Sequence, residues 1–180
     1  MELIGKRVRL REFVASDVDA LHAVHADPLV MRYYDSEIGK REHAQRLVTM
    51  FIGWAAENPR QNFQLAIVDS SSTRLIGSCG VRTKGCFPGD AEFGIGIGSE
   101  WWGRGLAQEA ASLVLRFGFF DLDLETIRGV AVAENDGVSK FAARLGFTPG
   151  VPRSGDDWMT SRDWSARDWS MTRENWETHR

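Results

Sequence analysis

The 180-residue sequence predicts an α+β fold built on one mixed sheet. Three observations carry that prediction. Val8-Arg9-Leu10-Arg11-Glu12-Phe13 alternates apolar and charged residues, the period of a half-buried strand. Two further apolar runs, 63–68 and 75–81, are separated by the polar turn Asp69-Ser70-Ser71-Ser72-Thr73, which is a hairpin signature. The pattern then changes to strand–helix–strand–helix, so helices must cover a sheet that mixes both strand directions.

Two helices are expected between the first strand and the hairpin. Ser16 begins the first, and Asp17 and Asp19 sit in its first turn, where the helix dipole favours acids. Leu21 and Val24 give it an apolar face, and Asp27-Pro28 ends it. The second runs from about 40 to 57, with Leu47, Met50, Phe51 and Trp54 at three-to-four spacing. Asn58-Pro59 stops it. Beyond the hairpin, a strand over 91–98 leads into a glycine-rich turn. A helix from about 103 to 120 then turns Leu106, Ala110, Leu113, Val114 and Phe117 toward a core. A strand over 126–133, a short helix over 138–144 closed by Gly146, and strands near 147–151 and 167–172 complete the series. No linker divides the chain, which reads as one domain over 1–180. The echo of Arg162-Asp163-Trp164-Ser165 in Arg167-Asp168-Trp169-Ser170 is too short for a repeat architecture.

Composition narrows the function classes. An apolar fraction of 43% supports an ordinary packed core. A net charge of −3, with no run of lysine or arginine, speaks against a nucleic-acid partner. No apolar stretch approaches the ~20 residues of a membrane span. The start, Met1-Glu2-Leu3-Ile4-Gly5-Lys6-Arg7, lacks the apolar core of a signal peptide, so a cytoplasmic protein is expected. Cys79 and Cys86 are expected as reduced thiols. His22 and His25 have the spacing of a helical metal pair, but no third ligand accompanies them and no metal is expected.

The sharpest chemical feature is Trp102-Gly103-Arg104-Gly105-Leu106-Ala107, between a strand and a helix. Gly103 and Gly105 let the backbone turn tightly and approach a ligand. The first N–H groups of the helix have no partner one turn back, the dipole adds positive potential, and Arg104 adds a cation. Together these suit a pyrophosphate, although a plain strand-to-helix turn would also tolerate the glycines. Two rival phosphate motifs fail on spacing. A P-loop needs Lys followed by Ser or Thr after its last glycine, where Leu106-Ala107 stands; a dinucleotide fingerprint needs a third glycine where Gln108 stands.

The sequence resembles the GNAT superfamily of acyl-CoA N-acyltransferases, and most closely the branch that includes the ribosomal-protein N-terminal acetyltransferases. Matching blocks follow one another through nearly the whole chain: Arg7-Val8-Arg9-Leu10-Arg11 with Asp17, the stretch His25 to Tyr33, Ile76-Gly77, Ala91-Glu92-Phe93-Gly94 through Ala110, Glu134-Asn135, Leu145-Gly146-Phe147, and Trp169 to Trp176. The family's phosphate signature, Q/R-x-x-G-x-G/A, is met at 102–107 with Trp102 in first place. The resemblance implies a mostly antiparallel sheet flanked by helices, with acetyl-CoA as cosubstrate. Amides from Gly103 through Arg104, Gly105 and Leu106 to Ala107 would hold the pyrophosphate. The strand carrying Ile95 and Ile97 would splay from the strand beginning near Thr126, and the pantetheine arm would lie between them. Backbone groups at Ile95 and Ile97 would meet that arm from one side and Asn135 from the other; an N–H near Ile97 would stabilise the oxyanion. Tyr33 and Tyr34 would line the acceptor site.

The acceptor must be a neutral amine, and an α-amino group of pKa about 8 is already roughly one-tenth neutral near pH 7. Glu92, on the strand leading to the thioester, is the first candidate for a general base; a surface carboxylate is the competing reading. Glu100 suits an exposed turn and Glu109 a salt bridge. For the acid, the branch places Ser three residues after the Asn. Val138 holds that place here, and Ser139, one further, is turned by about 100° on a helix. The Tyr of other superfamily members, seven after the Asn, is Ala142. Ser139 therefore competes with water as the proton source for a thiolate that already leaves easily. Four tryptophans, Trp158, Trp164, Trp169 and Trp176, suit sheet packing or a homodimer contact, and the first two suit the acceptor border. The expected reaction is acetyl transfer to a primary amine, either a protein or peptide N-terminus or a small molecule. A non-catalytic acyl-CoA-binding module is the reading from another class.

Overall fold

A computed structural model describes every residue except Arg180. The chain runs β1 (Glu2–Ile4), β2 (Val8–Arg11), α1 (Val18–His25), α2 (Pro28–Met31), α3 (Arg41–Ala55), β3 (Asn62–Asp69), β4 (Leu75–Arg82) and β5 (Asp90–Ile97). It continues through α4 (Leu106–Phe120), β6 (Thr126–Val132), α5 (Asp136–Leu145), β7 (Thr148–Pro149), β8 (Arg153–Ser154), α6 (Asp157–Thr160), β9 (Ser165–Thr172) and α7 (Arg173–Thr178). The strands form one sheet in the order β1-β2-β3-β4-β5-β6-β9-β7, with β8 also on β9. Every pairing is antiparallel except β5 with β6, which is parallel.

Strand alternation divides two cores across the sheet. Phe63, Leu65 and Ile67 of β3 face the main core, where Leu106, Ala110, Val114, Leu115 and Phe119 of α4 pack. Ala66, pointing the other way, joins Phe13, Val18, Leu21, Val48 and Phe51 beneath α1 and α3. Side chains such as Leu65, Leu115 and Phe119 are at most 1% exposed, and burying one contributes about 1.5–3 kcal/mol. No described helix is long and apolar enough to cross a membrane.

Local chemistry shifts several expected boundaries. Ser16 opens no α-helix; Ala15–Asp17 form a single 3-10 turn. The buried Asp17 carboxylate accepts from Arg11 Nη1 at 2.7 Å, Arg11 Nη2 at 2.9 Å and the Val14 N–H at 2.8 Å. Pro28 does not simply end α1 but starts α2, where a proline lacking an N–H costs nothing, and Asp27 caps it by accepting the Leu29 N–H at 2.9 Å. The strand β1 and helices α6 and α7 were not expected. They are short, and α7 buries one aromatic, Trp176, within an otherwise polar sequence.

Candidate active site

A candidate cofactor cleft arises where two strands part. Parallel pairing between β5 and β6 covers Asp90↔Thr126, Ala91↔Ile127 and Glu92↔Arg128, and stops there. Beyond that point β5 stays with β4 as far as Gly77↔Ile97, while β6 stays with β9 as far as Val132↔Ala166. The divergence opens a cleft of about 580 Å³. On the β4 side, the Gly98 N–H donates to the Ile76 carbonyl at 3.0 Å. Antiparallel alternation then directs the N–H and C=O groups of Phe93, Ile95 and Ile97 away from β4, toward the gap. Ile95 also lines the cleft, and Ile97, two residues on, is buried. The splay that the resemblance implies is present, and Ile95 lies on its wall.

The far wall comes from α5. Val138, Phe141 and Ala142 line the cleft together with Phe147, whose ring centroid is 5.8 Å from that of Phe93. Their spacing at one, four and five along the helix is an apolar-face signal that sequence reading passed over. Gly129 of β6 also lines the cleft, and a Cβ there would sit 3.5 Å from the Phe93 carbonyl. A larger side chain would narrow the throat.

At the end of β5 the chain makes a 3-10 turn, Ser99–Trp101, and the Ser99 N–H is held by Asp27 Oδ2 at 2.9 Å. Trp102 then donates its indole N–H to the Ile97 carbonyl at 2.9 Å, tying the loop back to the strand. Gly103 and Gly105 both have φ of +73°, a left-handed conformation that favours glycine. For this reason α4 begins at Leu106, three residues later than the sequence predicts. The N–H groups of Leu106 and Ala107 open the helix with no carbonyl one turn back. Arg104 lies with its guanidinium 5.1 Å from the Trp101 ring centroid. Loop and cleft are continuous along the chain and suit a nucleotide thioester: amides for phosphate, then an apolar channel for the arm.

The other predicted residues divide. Glu92 lies at the last paired position of the splay, exposed, with its carboxylate 3.6 Å from Arg82 Nε. Asn135 heads α5, where its Oδ1 accepts the Val138 N–H at 3.2 Å and so caps the helix. Ser139 does not reach the cleft wall: Val138 faces it, and the next position is rotated away as helix geometry requires. Tyr34 lines the cleft, whereas Tyr33 packs on Trp164 at 5.4 Å in a small cluster with Val132, Met159, Trp158 and Ala166. Glu109 is paired with Arg7 at 2.9 Å, the salt bridge the sequence suggested, and Glu100 sits in the expected exposed turn, where it also pairs with Arg74 at 3.0 Å. Cys79 is fully buried, which pushes its thiol pKa up and keeps it unreactive. Arg82, Arg128 and Asp168, all on the cleft wall, carried no signal in the sequence because pairing across strands is a property of register.

The family model for the acetyltransferase (GNAT) domain matches residues 7–148. An uncharacterized N-acetyltransferase, p20 of Bacillus licheniformis, is 27% identical over 146 residues, covering 81% of each chain. Among solved structures, the ribosomal-protein-S5-alanine acetyltransferase of Vibrio fischeri superposes with a TM-score of 0.73 at 16% identity, covering 98% of both chains. A spermidine N-acetyltransferase chimera of Vibrio cholerae SpeG and hSSAT gives 0.78 at 17% identity, covering 96% of this chain and 99% of that one. The matched domain holds both the parted strands and the glycine loop, and the chain belongs to the GNAT acetyltransferases, which move an acetyl group from acetyl-CoA to an amine.

Proposed function

We propose that this enzyme acetylates the N-terminal amine of a protein or peptide, by direct attack on acetyl-CoA in a ternary complex. The supporting observation is the charge balance of the cleft wall. Three carboxylates face it, and each has an arginine: Glu92 with Arg82 at 3.6 Å, Asp90 with Arg128 at 3.4 Å, and Asp168 with Arg153 at 2.7 Å. A polyamine needs several uncommitted carboxylates. A single amine on a largely uncharged chain needs only one carboxylate that can be released, and Glu92, with the longest of the three contacts and a side chain 68% exposed, is that one. Tyr34, Phe87 and Val130 line the cleft and supply exposed apolar surface. The Vibrio fischeri neighbour is named for a ribosomal-protein alanine and the chimera for spermidine. At 16% and 17% identity each shares only the fold, so support for one acceptor over the other must come from the cleft wall.

In this reading Glu92 takes a proton from the ammonium, directly or through water. The neutral nitrogen then attacks the thioester carbonyl, and the Ile97 N–H, facing the gap, receives the developing oxyanion. The C–N bond forms, and the nitrogen, cationic in the tetrahedral intermediate, gives its second proton to water. The C–S bond breaks, and the CoA thiolate takes a proton from solvent. Glu92 returns its own proton to solvent.

The test is CoA-thiol release with free-N-terminal peptides, the same peptides blocked at the N-terminus, and spermidine. The free peptides should give the highest kcat/KM and the blocked ones no rate. Preference for spermidine would overturn the acceptor assignment. Glu92→Gln should remove the acidic limb of the pH–rate profile with the best acceptor; an unchanged profile would take Glu92 out of the base role.

A further inference from the structure

We infer that Arg7 is a positioning residue for acetyl-CoA: from the turn between β1 and β2 it orients the peptide groups whose amides face the cofactor phosphates. The inference rests on the reading of 103–107 as the pyrophosphate site.

Both terminal nitrogens of the Arg7 guanidinium reach that loop. Its Nη1 donates to the Arg104 carbonyl at 2.6 Å and its Nη2 to the Gly105 carbonyl at 3.3 Å. In a trans peptide the C=O and the following N–H point in opposite directions. Two carbonyls drawn toward Arg7 therefore turn the N–H groups of Gly105 and Leu106 to the opposite side. The Gly105 carbonyl also accepts the Glu109 N–H at 3.1 Å, so the Leu106 N–H projects outward from the start of α4. With both carbonyls held by Arg7, the Gly105 and Leu106 N–H groups are left to face an anion.

The arginine itself is held in place. Glu109, in the first turn of α4, accepts the Arg7 backbone N–H at 2.8 Å and Nε at 2.9 Å. Burial acts to raise the Glu109 pKa, but the hydrogen bonds from Arg7 outweigh it and hold the carboxyl below its usual range. The space around the clasp is tailored to it. A Cβ on Gly5 would overlap Glu109 Oε1, and one on Gly105 would approach Arg7 Nη2 to 3.1 Å. A planar fork can serve a carboxylate and two successive carbonyls at once; a lysine ammonium cannot. The Arg7 side chain is 54% exposed, so as an ion pair it contributes little stability. Its effect should appear in donor binding instead.

The experiment compares acetyl-CoA with S-acetylpantetheine, a donor that has the arm and thioester but no pyrophosphate. The unaltered chain should strongly prefer acetyl-CoA in kcat/KM. Arg7→Met should reduce that preference by about tenfold or more, through the KM for acetyl-CoA, with S-acetylpantetheine turnover and the KM for the amine unchanged. Arg7→Lys should recover only part of the loss. Glu109→Gln, which keeps the loop contacts and loosens the clasp, should fall between Arg7→Met and the unaltered chain. An equal loss with both donors would make Arg7 merely structural and overturn the inference, as would unchanged kinetics in Arg7→Met. If the unaltered chain showed no preference between the donors, the phosphate assignment would fall, and the inference with it.

Discussion

Replacing Gly105 with alanine tests the loop where the backbone has least freedom. Gly105 has φ of +73°, and a residue with a Cβ pays roughly 1–2 kcal/mol to adopt that conformation. The new Cβ would also lie 3.1 Å from Arg7 Nη2, tighter than ordinary contact, so the guanidinium must shift by a few tenths of an ångström, which disturbs its bonds to the Arg104 and Gly105 carbonyls. Gly103 is the internal control. Its φ is likewise +73°, but a Cβ there meets nothing within 4 Å, so Gly103→Ala bears the backbone cost alone. Both variants should lose about 2–8 °C of melting temperature at this chain length. They should differ in cofactor use: Gly105→Ala should raise the KM for acetyl-CoA about tenfold, equivalent to 1.4 kcal/mol, and Gly103→Ala distinctly less. Thermal melts and initial rates at saturating amine measure the two effects separately. If Gly105→Ala left both melting temperature and acetyl-CoA KM unchanged, the strained-loop reasoning would be wrong. A larger defect in Gly103→Ala than in Gly105→Ala would remove Arg7 from the account.

Two other positions make separable predictions. His25 has its pKa lowered to about 4 by burial and then by the charges of His43 and His22, against 6.5 unperturbed. The unfolded chain binds more protons between those values, so stability should rise with pH from about 4 to 6.5 and be lost again on acidification, by up to about 3 kcal/mol from this residue. His25→Asn should flatten that window relative to the unaltered chain in denaturant titrations, and parallel curves would show that His25 is not the source. At the head of α5, Asn135→Ala should cost about 1 kcal/mol by removing the cap on the Val138 N–H. Asn135→Asp keeps the cap but loses the amide donor. It should retain stability yet raise the acetyl-CoA KM if Asn135 also holds the pantetheine arm; an unchanged KM would leave Asn135 as a cap only.

Much of this protein was legible before any coordinates. Hairpin spacing located β3 and β4, apolar periodicity located α3 and α4, and the ordered motif blocks named the family. Each of these signals is local, because a strand's period of two or a glycine's tolerance of positive φ depends on neighbours in the chain. What the sequence by itself determined was the family, the place of the glycine loop between a strand and a helix, and the order of elements along the chain around it. Only the tertiary structure decided which groups stand across from one another. Arg7 meets the Arg104 carbonyl from 97 residues away, and Asp17, at the start of α1 as expected, is also the buried partner of Arg11. Val138 faces the cleft while Ser139 does not, and Tyr34 lines it while Tyr33 packs on Trp164. Such distinctions arise from register and helix phase. Moving one residue along a strand reverses its face, and moving one along a helix turns the side chain by about 100°, so a spacing rule that is right to within a residue still leaves the side chain's direction open.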